Sequence, residues 1–123
     1  MELYDSPEGY LYNLYTSSSA EAKKLWRQSI REKWNHQCAY CGSDKDLTLD
    51  HIIPQAKGGK DTTKNVLCCC QKCNNSKGHT DWQLWYREQY FYCEGKEFMI
   101  HKWMEPDPPI NLYEYKPRRT LNN

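Results

Sequence analysis

An α+β fold in one small domain is what this sequence predicts, on three observations. Two C-x-x-C pairs, Cys38 with Cys41 and Cys70 with Cys73, bracket the middle of the chain. Between them lie two short strand-like runs separated by a polar, glycine-broken loop. Outside them stand segments whose apolar residues recur at helical spacing. The length, 123 residues, is that of a single domain whose core is small enough to need added support.

Residues 1–17 hold Pro7, Gly9 and scattered tyrosines with no sustained period, and are expected to form an N-terminal arm rather than a packed element. Ser18-x-x-Glu21 then fits a capping box, in which hydroxyl and carboxylate each satisfy a free backbone N–H. The helix it opens, AEAKKLWRQSIREKW, places Ala22, Trp26, Ile30 and Trp34 four residues apart with Leu25 beside them, an apolar stripe for the core. Next, LTLDHIIP reads as a strand stopped by Pro54, QAKGGKDTTK as a loop, and Asn65-Val66-Leu67 as a second strand. Cys70-Gln-Lys-Cys73 opens a short helix. Thr80-x-x-Gln83 is another capping box, heading an aromatic stretch of one or two helices broken near Gly95 and ended at Pro106. One folded domain is therefore expected over 18–105, with its core at 36–79 and a helical extension over 80–105. The proline-rich residues 106–123 read as an extended tail.

Composition narrows the class. Only 38% of residues are hydrophobic, and the mean hydropathy is -1.02, so the five Trp and ten Tyr must supply much of the core. The net charge of +1 argues neither for nor against a nucleic-acid partner, but its distribution is uneven. Residues 54–79 carry Lys57, Lys60, Lys64, Lys72 and Lys77 against one acid, Asp61, while the first 21 residues hold acids and no base. Lys116, Arg118 and Arg119 form a second basic cluster. Taken alone, a lysine run is most often a solvated face. The N-terminal stretch has no basic region and no apolar run, which predicts a cytoplasmic protein that is neither secreted nor membrane-bound.

In such a reducing compartment seven cysteines point to metal rather than disulfides. Thiolates two residues apart face one tetrahedral Zn²⁺ from a tight turn, and two such turns close a four-sulfur site. Cys38, Cys41, Cys70 and Cys73 are the predicted ligands of a structural Zn²⁺ with no open coordination position. Cys69 as a ligand in place of Cys70 is an alternative that the spacing leaves open. Otherwise Cys68 and Cys69 are small buried side chains, and Cys93 is a core residue.

The 28 residues between Cys41 and Cys70 exceed the roughly 15 to 20 of an ordinary double C-x-x-C ribbon, and they contain Asp50 and His51. A carboxylate on a hard cation beside an imidazole that takes a proton from water is equipment for phosphodiester hydrolysis. Strand alternation puts the two on opposite faces, so they share a site only if the strand ends or twists there, as Pro54 allows. Without further context, a histidine in this position is more often a satisfied, half-buried residue.

The order C-x-x-C, Asp-His-Ile-x-Pro, Gly-Gly, Asn, then C-x-x-C-Asn with Lys three residues later resembles the HNH endonucleases, also called ββα-metal or His-Me finger nucleases. The resemblance covers about residues 36–79. It implies a ββα-metal core, with His51 as general base and Asn65 as the organiser of the inter-strand loop. The third signature position, often histidine, is Asn74 here, an HNN variant in which Asp50 and Asn74 share one divalent ion. An amide oxygen is a hard donor that suits Mg²⁺ or Mn²⁺. Asn75 is the alternative ligand if the helix register differs by one, and His79 is a further candidate.

On this resemblance the activity is that of a one-metal DNA endonuclease leaving 5′-phosphate and 3′-hydroxyl ends. The lysines Lys57, Lys60, Lys64, Lys72 and Lys77, with Arg118 and Arg119, become candidate phosphate contacts, which confer affinity without sequence choice. The W-x-x-W-Y-x-x-Q-x-F-Y run from Trp82 is similar to small phage-type HNH proteins, including free-standing homing endonucleases, and implies a phage homing or nicking role. A second reading, a non-catalytic zinc module that binds nucleic acid, makes His51 structural. Monomer and homodimer are both compatible with the sequence.

Overall fold

Strands β1 (Leu47–His51) and β2 (Val66–Cys70) pair antiparallel, with Asp50 opposite Leu67 and His51 opposite Val66. The computed structural model describes residues 2–107, so the tail from 108 onward, with Lys116, Arg118 and Arg119, lies outside the described residues. Every residue of β2 is buried, because the sheet is covered on both faces. Val66 packs with Ala22, Trp26 and Ile30 of helix α2 (Ser19–Lys33), the stripe that the four-residue spacing predicts. Leu67 and Cys69, on the other face, join a core of Tyr40, Trp82, Trp85, Tyr86 and Ile100. Ser18 caps α2 by accepting from the Glu21 N–H at 3.3 Å, a bond type worth about 1 kcal/mol.

Helix α3 (Gln71–Lys77) follows β2 without a loop, Cys70 serving as its N-cap. This completes a β-β-α unit in which the loop over 52–65 is tied at its neck. Asn65 is buried there. Its side-chain oxygen accepts from the Ile53 N–H at 2.9 Å, and its amide donates to the Ile53 and Lys60 carbonyls at 3.1 and 3.0 Å. Gly59 permits the close approach, since a Cβ at this position would sit 1.7 Å from the Ile53 oxygen.

The N-terminal segment differs from the arm predicted over 1–17. It forms helix α1 (Glu8–Tyr12), and Tyr10 is fully buried against α2. Thr63 anchors it, its N–H donating to the Asp5 carbonyl at 2.7 Å and its hydroxyl to the Tyr4 carbonyl, while within the segment the Tyr10 hydroxyl donates to the Glu2 carbonyl at 2.6 Å. Tyrosines scattered on either side of Pro7 and Gly9 carry no periodic signal, so only the tertiary partner makes this segment regular.

The aromatic stretch divides into α4 (Trp82–Arg87) and α5 (Glu94–Met104). The break falls at residues 88–93, not at Gly95, which lies in the first turn of α5. Asp81 rather than Thr80 caps α4, accepting from the Gln83 and Leu84 N–H groups at 3.0 Å each. Cys93 caps α5 on the backbone and is exposed, correcting its expected place in the core. Glu97 clasps the two helices through Arg87, Tyr92 and Gln83, and Arg87 first and Tyr92 second hold its carboxyl down to about 2. No helix among the described residues is long and apolar enough to cross a membrane.

Candidate metal centre and catalytic cleft

Cys38 and Cys41 come from the turn before β1, Cys70 and Cys73 from the β2–α3 junction. The antiparallel register brings the two turns together, since Leu47 pairs with Cys70. All four sulfurs lie within 4.8 Å of one another. A tetrahedron with sulfur about 2.3 Å from its centre has edges of about 3.8 Å, and Cys41 Sγ stands 3.7 Å from Cys70 Sγ. The donor set and spacing fit Zn²⁺. The thiols of Cys69 and Cys73 hold Cys38 far below the usual thiol range, and Cys38 together with burial pushes Cys73 up in return. A divalent cation held by these four sulfurs would take the place of the shared protons.

This arrangement decides between Cys69 and Cys70. Cys69 lies outside the four-sulfur group, with its thiol 3.3 Å from the Cys70 carbonyl and raised in pKa first by Cys38 and then by burial. It lies beside the four-sulfur group rather than in it. Cys68 is also fully buried.

A second site forms where β1 ends. Asp50, His51, Asn74, Asn75 and His79 line one concavity of about 500 Å³, with Pro54 turning the chain away after the strand. Alternation does separate Asp50 from His51. The strand stops at His51, however, and the imidazole, about 30% exposed, sits on the rim where both faces meet. Asp50 is buried, and burial pushes its carboxyl up while Lys77 pulls it part of the way back. Asn74 is held loosely, its amide 3.5 Å from the Leu49 carbonyl, so its oxygen is available to the cleft. Asn75 is engaged otherwise, accepting from Gln71 at 2.8 Å. His79 is exposed, two residues past the end of α3.

Residues 38–83 match the family described as HNH endonuclease. Over this segment, which holds the β-β-α unit and all four cysteines, the chain is similar to the HNH endonucleases. Over 65 residues it is 42% identical to the CRISPR-associated endonuclease Cas9 of Corynebacterium diphtheriae, an overlap of 50% of this chain and 6% of that protein. Over 52 residues it is 38% identical to the Cas9 of Actinomyces naeslundii, covering 39% of this chain and 5% of that one. The chain thus spans a small part of the length of these relatives. A solved Type IV phosphorothioation-dependent restriction endonuclease overlays 62% of this chain and 17% of its own, at 18% identity and a TM-score of 0.42.

Two residues of the cleft escape a reading of the sequence. Lys77, expected among the phosphate contacts, is 1% exposed and points inward. Its ammonium lies 2.9 Å from Asp50 Oδ2 and donates to the His51 carbonyl at 3.1 Å. The ion pair is poorly angled for a hydrogen bond, so Oδ2 has a charge partner but no well-directed donor. A buried oxygen in that state, on a residue that shares its cleft with Asn74, fits a hard divalent cation. Breaking such a buried pair costs about 3–5 kcal/mol, which rules Lys77 out as a surface contact.

Asp61 is the other. Its Oδ1 lies 2.5 Å from His51 Nε2 and accepts from Gln55 at 3.1 Å. The only signal for it in the sequence is its solitude as an acid among the lysines. Of those lysines, Lys64 is drawn to Asp107 at 3.2 Å, Lys72 lies by the cysteine turns, and Lys57 and Lys60 are exposed on the loop.

Proposed function

We propose that this domain is a metal-dependent DNA endonuclease that hydrolyses phosphodiester bonds, with His51 as its general base. The observation that carries this reading is the convergence of His51, Asp50 and Asn74 on one cleft at the end of β1. Asp50 and Asn74 would hold one Mg²⁺ or Mn²⁺ ion, whose charge, when bound, stabilises a phosphate oxygen and the departing 3′ oxygen. The rest of the chemistry belongs to the chain. Asp61 accepts a hydrogen bond from His51 Nε2, which leaves Nδ1 with the lone pair that receives the proton of the attacking water. Asn65 fixes the loop that carries Asp61 relative to the strand that carries His51. Lys77 offsets the charge of Asp50 until the ion arrives and holds the His51 backbone in place.

The test is conversion of supercoiled plasmid to nicked or linear product. Cleavage is expected with Mg²⁺ and none with EDTA, and Asn74→Ala should shift the Mg²⁺ dependence to higher concentration. Cleavage indifferent to EDTA would overturn the proposal. Asp61→Asn should lower kcat about ten-fold and leave KM unchanged, because it removes an orienting acceptor rather than a substrate contact. The phage homing or nicking role rests on the Trp82 run, whose Trp82, Trp85 and Tyr86 are core residues; the proposal stops at the reaction.

A further inference from the structure

Helix α2 carries a feature that the nuclease site does not use. Lys23, Arg27 and Arg31 recur every four residues, one position on from the buried Ala22, Trp26 and Ile30. They therefore form a ridge alongside the core stripe, with about 6 Å of axial rise between successive cations. All three line a cleft of about 280 Å³ that His51 and Asp61 also line. The imidazole is thus shared between this cleft and the one that holds Asp50 and Asn74. Among the described residues no carboxylate forms an ion pair with any of the three cations. Asp61, the acid in the lining, is turned to His51 and Gln55.

Resting on the nuclease reading above, we propose that this ridge is the seat of the DNA backbone leading to the scissile phosphate, the phosphates flanking the cut lying along Lys23, Arg27 and Arg31. Charge complementarity and continuity with His51 select the occupant: a row of cations, unpaired among the described residues, that shares its cleft with the general base fits a polyanion whose reacting phosphate must reach that base. The ridge also accounts for what the loop lysines do not supply. Lys64 and Lys77 are committed to Asp107 and Asp50, and Lys72 stands on the cysteine side of the domain.

The experiment measures binding of a labelled DNA duplex by fluorescence anisotropy in EDTA, over a series of salt concentrations, so that no cleavage intervenes. Lys23 and Arg27 are exposed, and the Lys23→Gln/Arg27→Gln protein should fold as the wild type does by circular dichroism. Each phosphate left without its cation lowers the slope of log affinity against log salt by about 0.9, so a drop of about 1.8 is expected. The charge-retaining Lys23→Arg/Arg27→Lys protein should keep the wild-type slope, and Lys72→Gln should change it little. In the plasmid assay with Mg²⁺, the Gln variant should show a raised KM with kcat retained. A Gln variant with wild-type slope and affinity would overturn the proposal, and so would a wild type that binds no DNA. Binding with the expected slopes but no cleavage would leave the ridge in place and refute the nuclease reading instead.

Discussion

Replacing His51 with alanine is expected to leave the domain folded and to slow DNA cleavage about a thousand-fold. General-base assistance contributes about 10²–10⁴ in rate, and the described residues of the cleft offer no second base so placed: His79 is exposed past the end of α3 and Asp50 is tied to Lys77. The fold should survive because the imidazole is a rim group and the neighbouring core is built by Ile52 and Val66. Duplex binding in EDTA should change by less than two-fold, since the cations of α2 are untouched. The decisive comparison is single-turnover cleavage at saturating Mg²⁺ for the two proteins, with thermal melts alongside. Equal rates would make His51 structural and favour a binding module built on the same zinc clamp.

Removing the sulfur-bound ion should have the larger effect on the molecule as a whole. Structural zinc sites in small domains supply about 10–16 kcal/mol of apparent binding free energy, comparable to or above the roughly 5–15 kcal/mol by which a typical domain is stable. The four cysteines join the turn before β1 to the β2–α3 junction, and Tyr40, between Cys38 and Cys41, is fully buried in the main core. A strong chelator, or Cys38→Ser/Cys73→Ser, should therefore abolish the cooperative thermal transition and the near-ultraviolet signal of the tryptophans. Withdrawing Mg²⁺ alone should leave both unchanged. Retained folding in the double-serine protein would show that the aromatic core suffices without the clamp.

What could be read from the sequence was whatever is encoded in local spacing. Both C-x-x-C turns, the Ser18 cap and the α2 stripe repeat or punctuate the chain over a few residues, and each is where the spacing puts it; the strands exist where they are read, but the first ends at His51 rather than Pro54 and the second, read over 65–67, runs Val66–Cys70. The misses are long-range. Tyr10 is buried because α2 lies across it, and Lys77 is buried because α3 packs its last turn onto β1, 27 residues back at Asp50. A lysine in a lysine-rich run gives no sign that it alone faces inward. Asp61 is ten residues from His51 in sequence, and a loop held by Asn65 and Gly59 is needed to close that distance. Cys69 and Cys70 are both buried neighbours on one strand, so only the placement of their sulfurs separates them.

The Lys77–Asp50 pair has a consequence in time. A carboxylate sunk in the domain with no cation of its own would have to wait for an ion before the chain could close around it. With an ammonium supplied from the end of α3, closure can be complete while the cleft holds no ion. On the proposed nuclease reading, the sulfur-bound metal would be needed once, when the protein is made. An ion at Asp50 would be needed afresh at each encounter with a strand, so the protein would be stored folded and idle, and started by the ion alone.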